Sequence, residues 1–191
     1  MKTQEMALIT RDALLLPDGR LELNIITPHH LRMIADVCKG KYPLAFGMLK
    51  ANGTPPCYPS VTQCEIIDFN QLNDTSLSIV LEGKQRVKIL SAARQRNGIW
   101  MARTIPSSNW HEEPIRGEFE LISAALEQFF EVNPNLFELY SKIHLEDASW
   151  VSQRWLEVLP LYNKDKLTLI NQPDCHQTME FVLELIKSHA D

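Results

Sequence analysis

The sequence has no apolar run that approaches the roughly 20 residues needed to cross a bilayer. Near the amino terminus only Met6-Ala7-Leu8-Ile9 is continuously apolar, and the polar residues Thr10-Arg11-Asp12 follow it at once. Such a short run is no signal peptide. We therefore expect a cytoplasmic protein without a membrane partner.

Cysteine is scarce and is not spaced for metal binding. The four cysteines, at positions 38, 57, 64 and 175, form no C-x-x-C pair, and none lies close to a His-x-x-x-His pair. His29 and His30 are neighbours at the start of a predicted helix, where adjacent side chains point about 100° apart and do not readily chelate one ion. Cys175 and His176 open the last predicted helix, and we interpret them as structural. The sequence thus predicts no metal ligands and no cofactor.

An excess of positive charge is also missing. Lys and Arg total 19 against 24 Asp and Glu, which makes the net charge −5. A chain this acidic does not hold a phosphate backbone by bulk charge, which disfavours nucleic acid as a partner. The densest basic stretch contains Arg86, Lys88, Arg94 and Arg96. We interpret it as a solvated sheet face, and contact with an anionic partner stays open there.

Motifs of common enzyme classes are absent. Gly83-Lys84 lacks the first glycine and the following Ser or Thr that complete a phosphate-binding loop. The chain contains neither a G-x-S-x-G elbow nor an H-E-x-x-H pair. No catalytic residue can be nominated, and the sequence predicts a protein that is not an enzyme.

The patterns that are present divide the chain near residue 110. Before this point, short alternating stretches between turns predict strands, and one helix begins at Pro28 after the N-cap Thr27. After it, apolar residues recur at helical spacing, and Ser149 could cap one of the helices. We expect an α+β fold with a β-rich domain at residues 1–110 and a helical domain at residues 111–191. The predicted strands are residues 21–25, 61–69, 76–82, 86–90 and 99–105, with a Pro-rich loop at residues 51–60.

Several segments, in this order and spacing, resemble the N-terminal substrate-binding domain of the Lon protease family. They are Pro17-Asp18-Gly19-Arg20-Leu21-Glu22-Leu23-Asn24-Ile25-Ile26-Thr27-Pro28-His29-His30-Leu31-Arg32-Met33, Phe46-Gly47, Cys64-Glu65-Ile66-Ile67-Asp68-Phe69, Leu77-Ser78-Ile79-Val80-Leu81-Glu82-Gly83-Lys84-Gln85-Arg86-Val87, Trp155-Leu156-Glu157-Val158-Leu159-Pro160-Leu161 and Lys166-Leu167-Thr168-Leu169-Ile170. The resemblance implies a PUA-like β-barrel with one helix, followed by an antiparallel helical bundle. Its motif positions are interpreted as structural: Asp18, Gly19, Pro28, Gly47, Gly83 and Arg86.

The same resemblance implies a function. Lon-type N-terminal domains bind unfolded polypeptide, relatives of the barrel bind RNA, and the fold alone does not decide between them. The sequence ends at Asp191 without the ATPase and Ser–Lys peptidase modules of full Lon proteases. We expect a non-catalytic module that binds unfolded polypeptide segments or a partner protein, with a homodimer left open. RNA- or nucleotide-related binding and an ATP-independent hydrolase are the alternatives.

Three residues are nominated for the wall of a polypeptide-binding groove. They are Phe46 and Met48, after the first helix, and Tyr58 in the Pro-rich loop. Apolar grooves and exposed strand edges are the surfaces that bind extended polypeptide. Ordinary core positions for Phe46 and Met48 are the alternative interpretation.

Overall fold

The structure is a computed structural model that describes residues 2–189. These residues form two units, which divide between Asn109 and Trp110. The first unit contains β1 (Gln4–Arg11), β2 (Arg20–Ile25), α1 (Pro28–Cys38), β3 (Leu44–Leu49), β4 (Cys57–Asn73), β5 (Ser76–Arg94) and β6 (Trp100–Pro106). The second contains a 3-10 turn (Gly117–Phe119), α2 (Glu120–Val132), α3 (Pro134–Phe137), α4 (Ala148–Val158), α5 (Asn163–Ile170) and α6 (His176–His189). None of the helices described is long and apolar enough to span a bilayer.

The six strands form a sheet that closes into a near-barrel ring. Their order is β2–β5–β4–β3–β1–β6, and an additional pairing of β5 with β6 closes the ring. β1 runs parallel to β3, whereas the other pairs are antiparallel. The expected α+β fold, a barrel-like β part followed by a helical region, is confirmed.

Strand β5 is longer than the sequence predicted. It continues through residues 83–85, where the sequence pattern suggested a break between two strands. One edge of β5 pairs with β4, while the other pairs first with β2 and then, from Val87 onward, with β6. β4 also begins earlier than predicted, at Cys57, inside the predicted loop. Pro59 is tolerated in this strand because the hydrogen-bond ladder to β5 begins only at Ser60.

Alternation along the strands divides the apolar side chains of the first unit between two clusters. On β1, Ala7 and Ile9 pack in one cluster with Met33 of α1, while Met6 and Leu8 belong to the other. This division follows from the two-residue period of a strand, which sends successive side chains to opposite faces. Helix α1 therefore covers one face of the sheet, and Thr27 and Pro28 begin it as predicted.

The predicted solvated face on β5 is wrong for Arg86. Its side chain is buried, and its backbone N–H donates to Asn109 Oδ1 at 2.9 Å. Arg86 Nη1 reaches the Ser108 carbonyl oxygen at 3.5 Å, and burial lowers the pKa of the guanidinium. The segment that follows β6 covers this side chain, which no local pattern on β5 reveals. Lys88 is exposed, as expected.

Gly83 lies where the turn before β2 crosses β5. The Asp18 N–H donates to the Gly83 carbonyl at 2.9 Å, and the Gly83 N–H donates to the Gly19 carbonyl at 2.9 Å. A Cβ atom on Gly83 would lie 2.1 Å from the Leu16 carbonyl oxygen. The two backbones can approach this closely only because residue 83 has no side chain.

In the second unit, α2, α4 and α6 carry most of the buried apolar residues. The indole N–H of Trp155 donates to the Ile122 carbonyl at 2.9 Å, which joins α4 to α2. Helix α4 begins differently from the prediction: its N-cap is Asp147, whose Oδ1 accepts from the Ser149 N–H at 3.0 Å. Ser149 itself is buried inside the first turn.

Helix α4 also carries a buried ion pair. Arg154 is 1% exposed, its Nε lies 2.8 Å from Glu157 Oε2, and its guanidinium carbon lies 5.2 Å from the centre of the Trp150 ring. A buried charge depends strongly on its partner, because water no longer solvates it.

The close approach at Gly83 gives a first prediction. In Gly83→Ala the new methyl group meets backbone, which cannot rotate away, so the free energy of unfolding should fall by about 3 kcal/mol or more. Chemical denaturation monitored by circular dichroism measures the loss. Gly40→Ala is the control: φ is +73° there but no atom lies within 4 Å, so only about 1–2 kcal/mol should be lost. Equal losses in both variants would contradict the steric explanation.

The buried ion pair gives a second prediction. Glu157→Leu removes the carboxylate that lies 2.8 Å from the buried Arg154 guanidinium and should lower the free energy of unfolding by about 3–5 kcal/mol. The double variant Arg154→Met/Glu157→Leu removes both charges and should recover most of this loss. A double variant no more stable than Glu157→Leu would show that the pair is not the source of the effect.

Candidate functional site

An open strand edge arises where the pairing of β3 with β4 ends. Leu44 opposite Cys64 is the pair nearest the start of β3, and Pro43 precedes it. Proline has no N–H to extend the ladder, and the Pro43 carbonyl already accepts from the Ala7 N–H at 2.9 Å. β4 continues to Asn73, paired only with β5. Among the described strands, none occupies the other edge of residues 65–73, which we call the outer half of β4.

A groove lies beside this open edge. One wall is formed by the end of α1 and the segment before β3, through Val37, Tyr42 and Pro43; the other is formed by β4, through Ile66 and Phe69. Its volume of about 480 Å³ is in the range of small-molecule and peptide-side-chain pockets. We call it the edge groove. Its lining is mainly apolar, with Gln63 and Glu65 as polar members.

The outer half of β4 exposes apolar side chains. Phe69 is 69% exposed, and Ile67 and Leu72 are also exposed. The register shifts between Ile66 and Asp68, so the strand bulges there before Phe69 pairs with Ile79. Natural sheets usually protect edge strands with charges or coverings, so an exposed edge with an accessible aromatic residue is a candidate binding surface.

Hydrogen bonds hold the Tyr42 wall of the groove in place. The Tyr42 hydroxyl donates to Asp36 Oδ2 at 2.9 Å, and Lys41 Nζ lies 3.1 Å from the same oxygen. The bonds from Tyr42 and Lys41 lower the pKa of Asp36, while burial and the Asp36 carboxylate raise the pKa of Tyr42. At neutral pH the pair is therefore a carboxylate and a neutral phenol, and the ring is anchored through its polar end.

Nothing in the edge groove is arranged for nucleophilic catalysis. The Cys64 thiol in its wall donates to the Leu44 carbonyl at 3.7 Å, and burial raises the pKa of this thiol far above its ordinary value. The groove therefore offers shape, apolar surface and a strand edge rather than an activated side chain.

The structure places the three nominated residues elsewhere. Phe46 is 2% exposed and Met48 is 3% exposed, so both occupy core positions, the alternative that the sequence left open. Tyr58 is half-buried near the start of β4, with Lys50 Nζ 5.6 Å from its ring centre. None of the three lines the edge groove.

Sequence reasoning missed the groove residues Val37, Tyr42, Ile66 and Phe69. One signal was available: Pro43 lies directly before an apolar run that begins at Leu44, and a proline there marks a place where a ladder can end. The position of this ladder end next to the outer half of β4 is set by the register between distant strands. A local sequence pattern does not contain that register.

The two neighbouring histidines lie side by side at the start of α1. The His29 and His30 ring centres are 4.2 Å apart, and His30 Nδ1 shares a hydrogen bond with Thr27 Oγ1 at 2.9 Å. Burial, with smaller effects of His29 and Arg11, lowers the pKa of His30 to about 4. At neutral pH this ring is uncharged and already has a partner.

Metal-ligating side chains converge in the second unit instead. One donor atom each from Glu113, Cys175 and His176 lies within 4.8 Å of the others, the only such group among the residues described. The sequence did not predict this cluster, because Glu113 lies more than 60 residues from the other two.

The comparison with known families assigns the chain. Residues 6–188 match the family model described as the ATP-dependent protease La (LON) substrate-binding domain. The chain belongs to this family. The resemblance that the motifs suggested is thus confirmed, and the family's substrate-binding domain accounts for nearly the whole of the 191 residues, with no protease or ATPase domain detected in them.

Two solved structures support the fold. The crystal structure of a Lon N-terminal domain protein from Xanthomonas campestris is similar with a TM-score of 0.74 at 22% identity, over 94% of this chain and 97% of that one. The N-terminal domain of a Mycobacterium avium complex Lon protease is similar with a TM-score of 0.65 at 13% identity, over 97% of this chain and 100% of that one. A search of curated proteins finds no significant match.

Proposed function

We propose that this Lon-type domain binds extended, apolar segments of unfolded polypeptide by adding them as a strand to the outer half of β4. The observation that carries the proposal is the open strand edge beside an apolar groove, with Phe69 exposed between them. Membership in a substrate-binding family supports the class of ligand.

The edge and the groove would recognise different parts of a segment. Backbone N–H and carbonyl groups of the outer half of β4 would pair with the backbone of any sequence. Alternate side chains of the added strand would face the edge groove, where Tyr42, Ile66 and Phe69 favour apolar residues. Such recognition is tolerant of sequence, as a domain that binds unfolded chains requires.

The short length of the open edge predicts weak, transient binding. On the paired edge, residues 76–82 of β5 span the bulged outer half of β4. An added strand of about seven residues, at roughly 3.3 Å per residue, would therefore cover the open edge. An unfolded segment of this size loses conformational entropy when it becomes ordered on binding, so we expect a Kd on the order of 10–100 µM. This binding requires neither ATP nor a catalytic residue.

The exposed aromatic side chain provides the third prediction. Phe69→Ser should weaken the binding of fluorescently labelled unfolded casein roughly 10- to 100-fold, since burying a phenyl ring contributes about 1.5–3 kcal/mol. Fluorescence anisotropy measures the affinity. Leu90→Ser is the matched control, because Leu90 is 48% exposed on β5 but does not line the edge groove; its affinity should change less than about twofold.

Two results of the anisotropy measurement would overturn this assignment. One is the absence of binding by the wild type up to about 0.1 mM. The other is equal weakening by Phe69→Ser and Leu90→Ser, which would place the contact on a general apolar surface. Sedimentation of the same samples reports whether a second copy occupies the edge: a dimer that casein fails to dissociate would also contradict the proposal.

Backbone pairing provides the fourth prediction. In an added strand, the N–H groups of alternate residues face β4 while the others face solvent. In a peptide of about seven alternating valines and phenylalanines with lysine at each end, N-methylation of one alternate set should abolish binding, and methylation of the other set should preserve it. Equal effects of the two sets would contradict strand addition, and binding that survives in both would show that the peptide docks through its side chains alone.

A further inference from the structure

The cluster of Glu113, Cys175 and His176 joins two distant parts of the second unit. Glu113 lies in the segment before the 3-10 turn, whereas Cys175 and His176 lie at the start of α6. Their donors are a carboxylate, a thiol and an imidazole, all within 4.8 Å of one another. This mixture of oxygen, sulfur and nitrogen is the donor set of zinc, whereas calcium and magnesium prefer oxygen alone.

Backbone hydrogen bonds fix both segments that carry the donors. The Glu113 N–H donates to Asp147 Oδ1 at 3.0 Å, and the Glu113 carbonyl accepts from the Ala148 N–H at 2.7 Å. On the other side, the Cys175 carbonyl accepts from the Met179 N–H at 2.9 Å. The three side chains therefore project from backbone positions that are already in place, and donor atoms that lie as far apart as 4.8 Å must approach to reach zinc geometry.

The imidazole of His176 is oriented as in many metal sites. Nε2 lies 2.8 Å from both oxygens of Glu113, and Nδ1 lies 3.4 Å from Asp174 Oδ1. Asp174 is itself held, because its Oδ1 accepts from the His176 N–H at 3.0 Å. A carboxylate beside the second ring nitrogen is the usual way in which proteins fix the tautomer of a metal-binding histidine.

Cys175 is the member of the cluster that takes no part in the ion pair. His176 and Glu113 already satisfy each other as a pair, but the thiol is fully buried next to them. Burial raises the pKa of this thiol, with the charge of Glu113 adding to the effect, and a hydrogen bond with Ser149 opposes it. A divalent cation would reverse this balance, because it stabilises the thiolate directly.

We propose that Glu113, Cys175 and His176 form a Zn²⁺ site with three protein ligands and one position open to water. A carboxylate, a thiolate and a neutral imidazole balance the charge of the ion. With ordinary zinc bond lengths, ligand atoms of a tetrahedral site lie about 3.3–3.6 Å apart. Glu113 and His176 must therefore separate by about half an ångström, which their partly exposed side chains permit. The ion would replace the direct bond between them and link the Glu113 segment to α6.

Metal binding by the full chain tests the site. Isothermal titration of the reduced, metal-free protein with Zn²⁺ should show one bound ion. The same protein with Co²⁺ should develop a thiolate-to-cobalt charge-transfer band in the near ultraviolet. His176→Ala and Glu113→Ala should each weaken Zn²⁺ binding at least tenfold, and Cys175→Ala should abolish the band.

Matched controls separate this site from other ligands of the chain. His189→Ala removes an exposed histidine of the same helix, and Cys38→Ser removes an exposed cysteine of the first unit. Both should bind Zn²⁺ like the wild type. Because Cys175 is buried, circular dichroism must show that each variant is folded; His176 and Glu113 are partly exposed and keep the test valid if Cys175→Ala unfolds.

A rise in melting temperature with Zn²⁺ gives an independent readout, since a ligand that binds only the folded state stabilises it. The rise should occur in the wild type and be lost in His176→Ala. The proposal is overturned if wild-type Zn²⁺ binding is weaker than about 0.1 mM. It is also overturned if the cobalt band survives in Cys175→Ala or if the control variants lose as much affinity as the cluster variants.

Discussion

The switch of partners along one edge of β5 is the constraint on which the first unit depends. β5 pairs with β2 and then with β6, while β4 follows its other edge for most of its length. The change of partner takes place around Gly83, where the turn before β2 crosses at a distance that no side chain would allow. One part of β5 therefore belongs to the closed ring. The other extends beyond it, together with β2 and the outer half of β4.

The candidate site follows from this extension. In a closed ring every strand is paired on both of its edges, so an unpaired edge can exist only where strands continue past the ring. Pro43 ends the pairing of β3 with β4 at that border, and α1 with Tyr42 provides the facing apolar wall. An open edge and a groove thus occur side by side because one ladder stops while its partner continues. No catalytic group is needed for such a surface to bind a chain.

Local patterns in the sequence predict most of the elements but not their partners. Alternation and turn residues correctly indicate β2, α1 and much of β4, β5 and β6, because these signals depend on near neighbours. Phe46 and Met48 show the limit: apolar residues on a strand look alike in sequence whether they face a core or a groove. Arg86 is covered by residues 107–109, Asp147 rather than Ser149 caps α4, and Glu113 joins Cys175 and His176. Each of these depends on contacts between residues far apart in the chain.

The closure of the ring also sets the order in which the first unit can form. β1 pairs with β6, and the Thr104 hydroxyl donates to the carbonyl of Gln4 across 100 residues of sequence. Strand β1 therefore gains its second neighbour only after nearly the last residues of its own unit have been synthesised. Contacts of such long separation slow folding. Helix α1 and the hairpin of β4 and β5 need only nearby residues, and they are the parts that can form while the ring is still open.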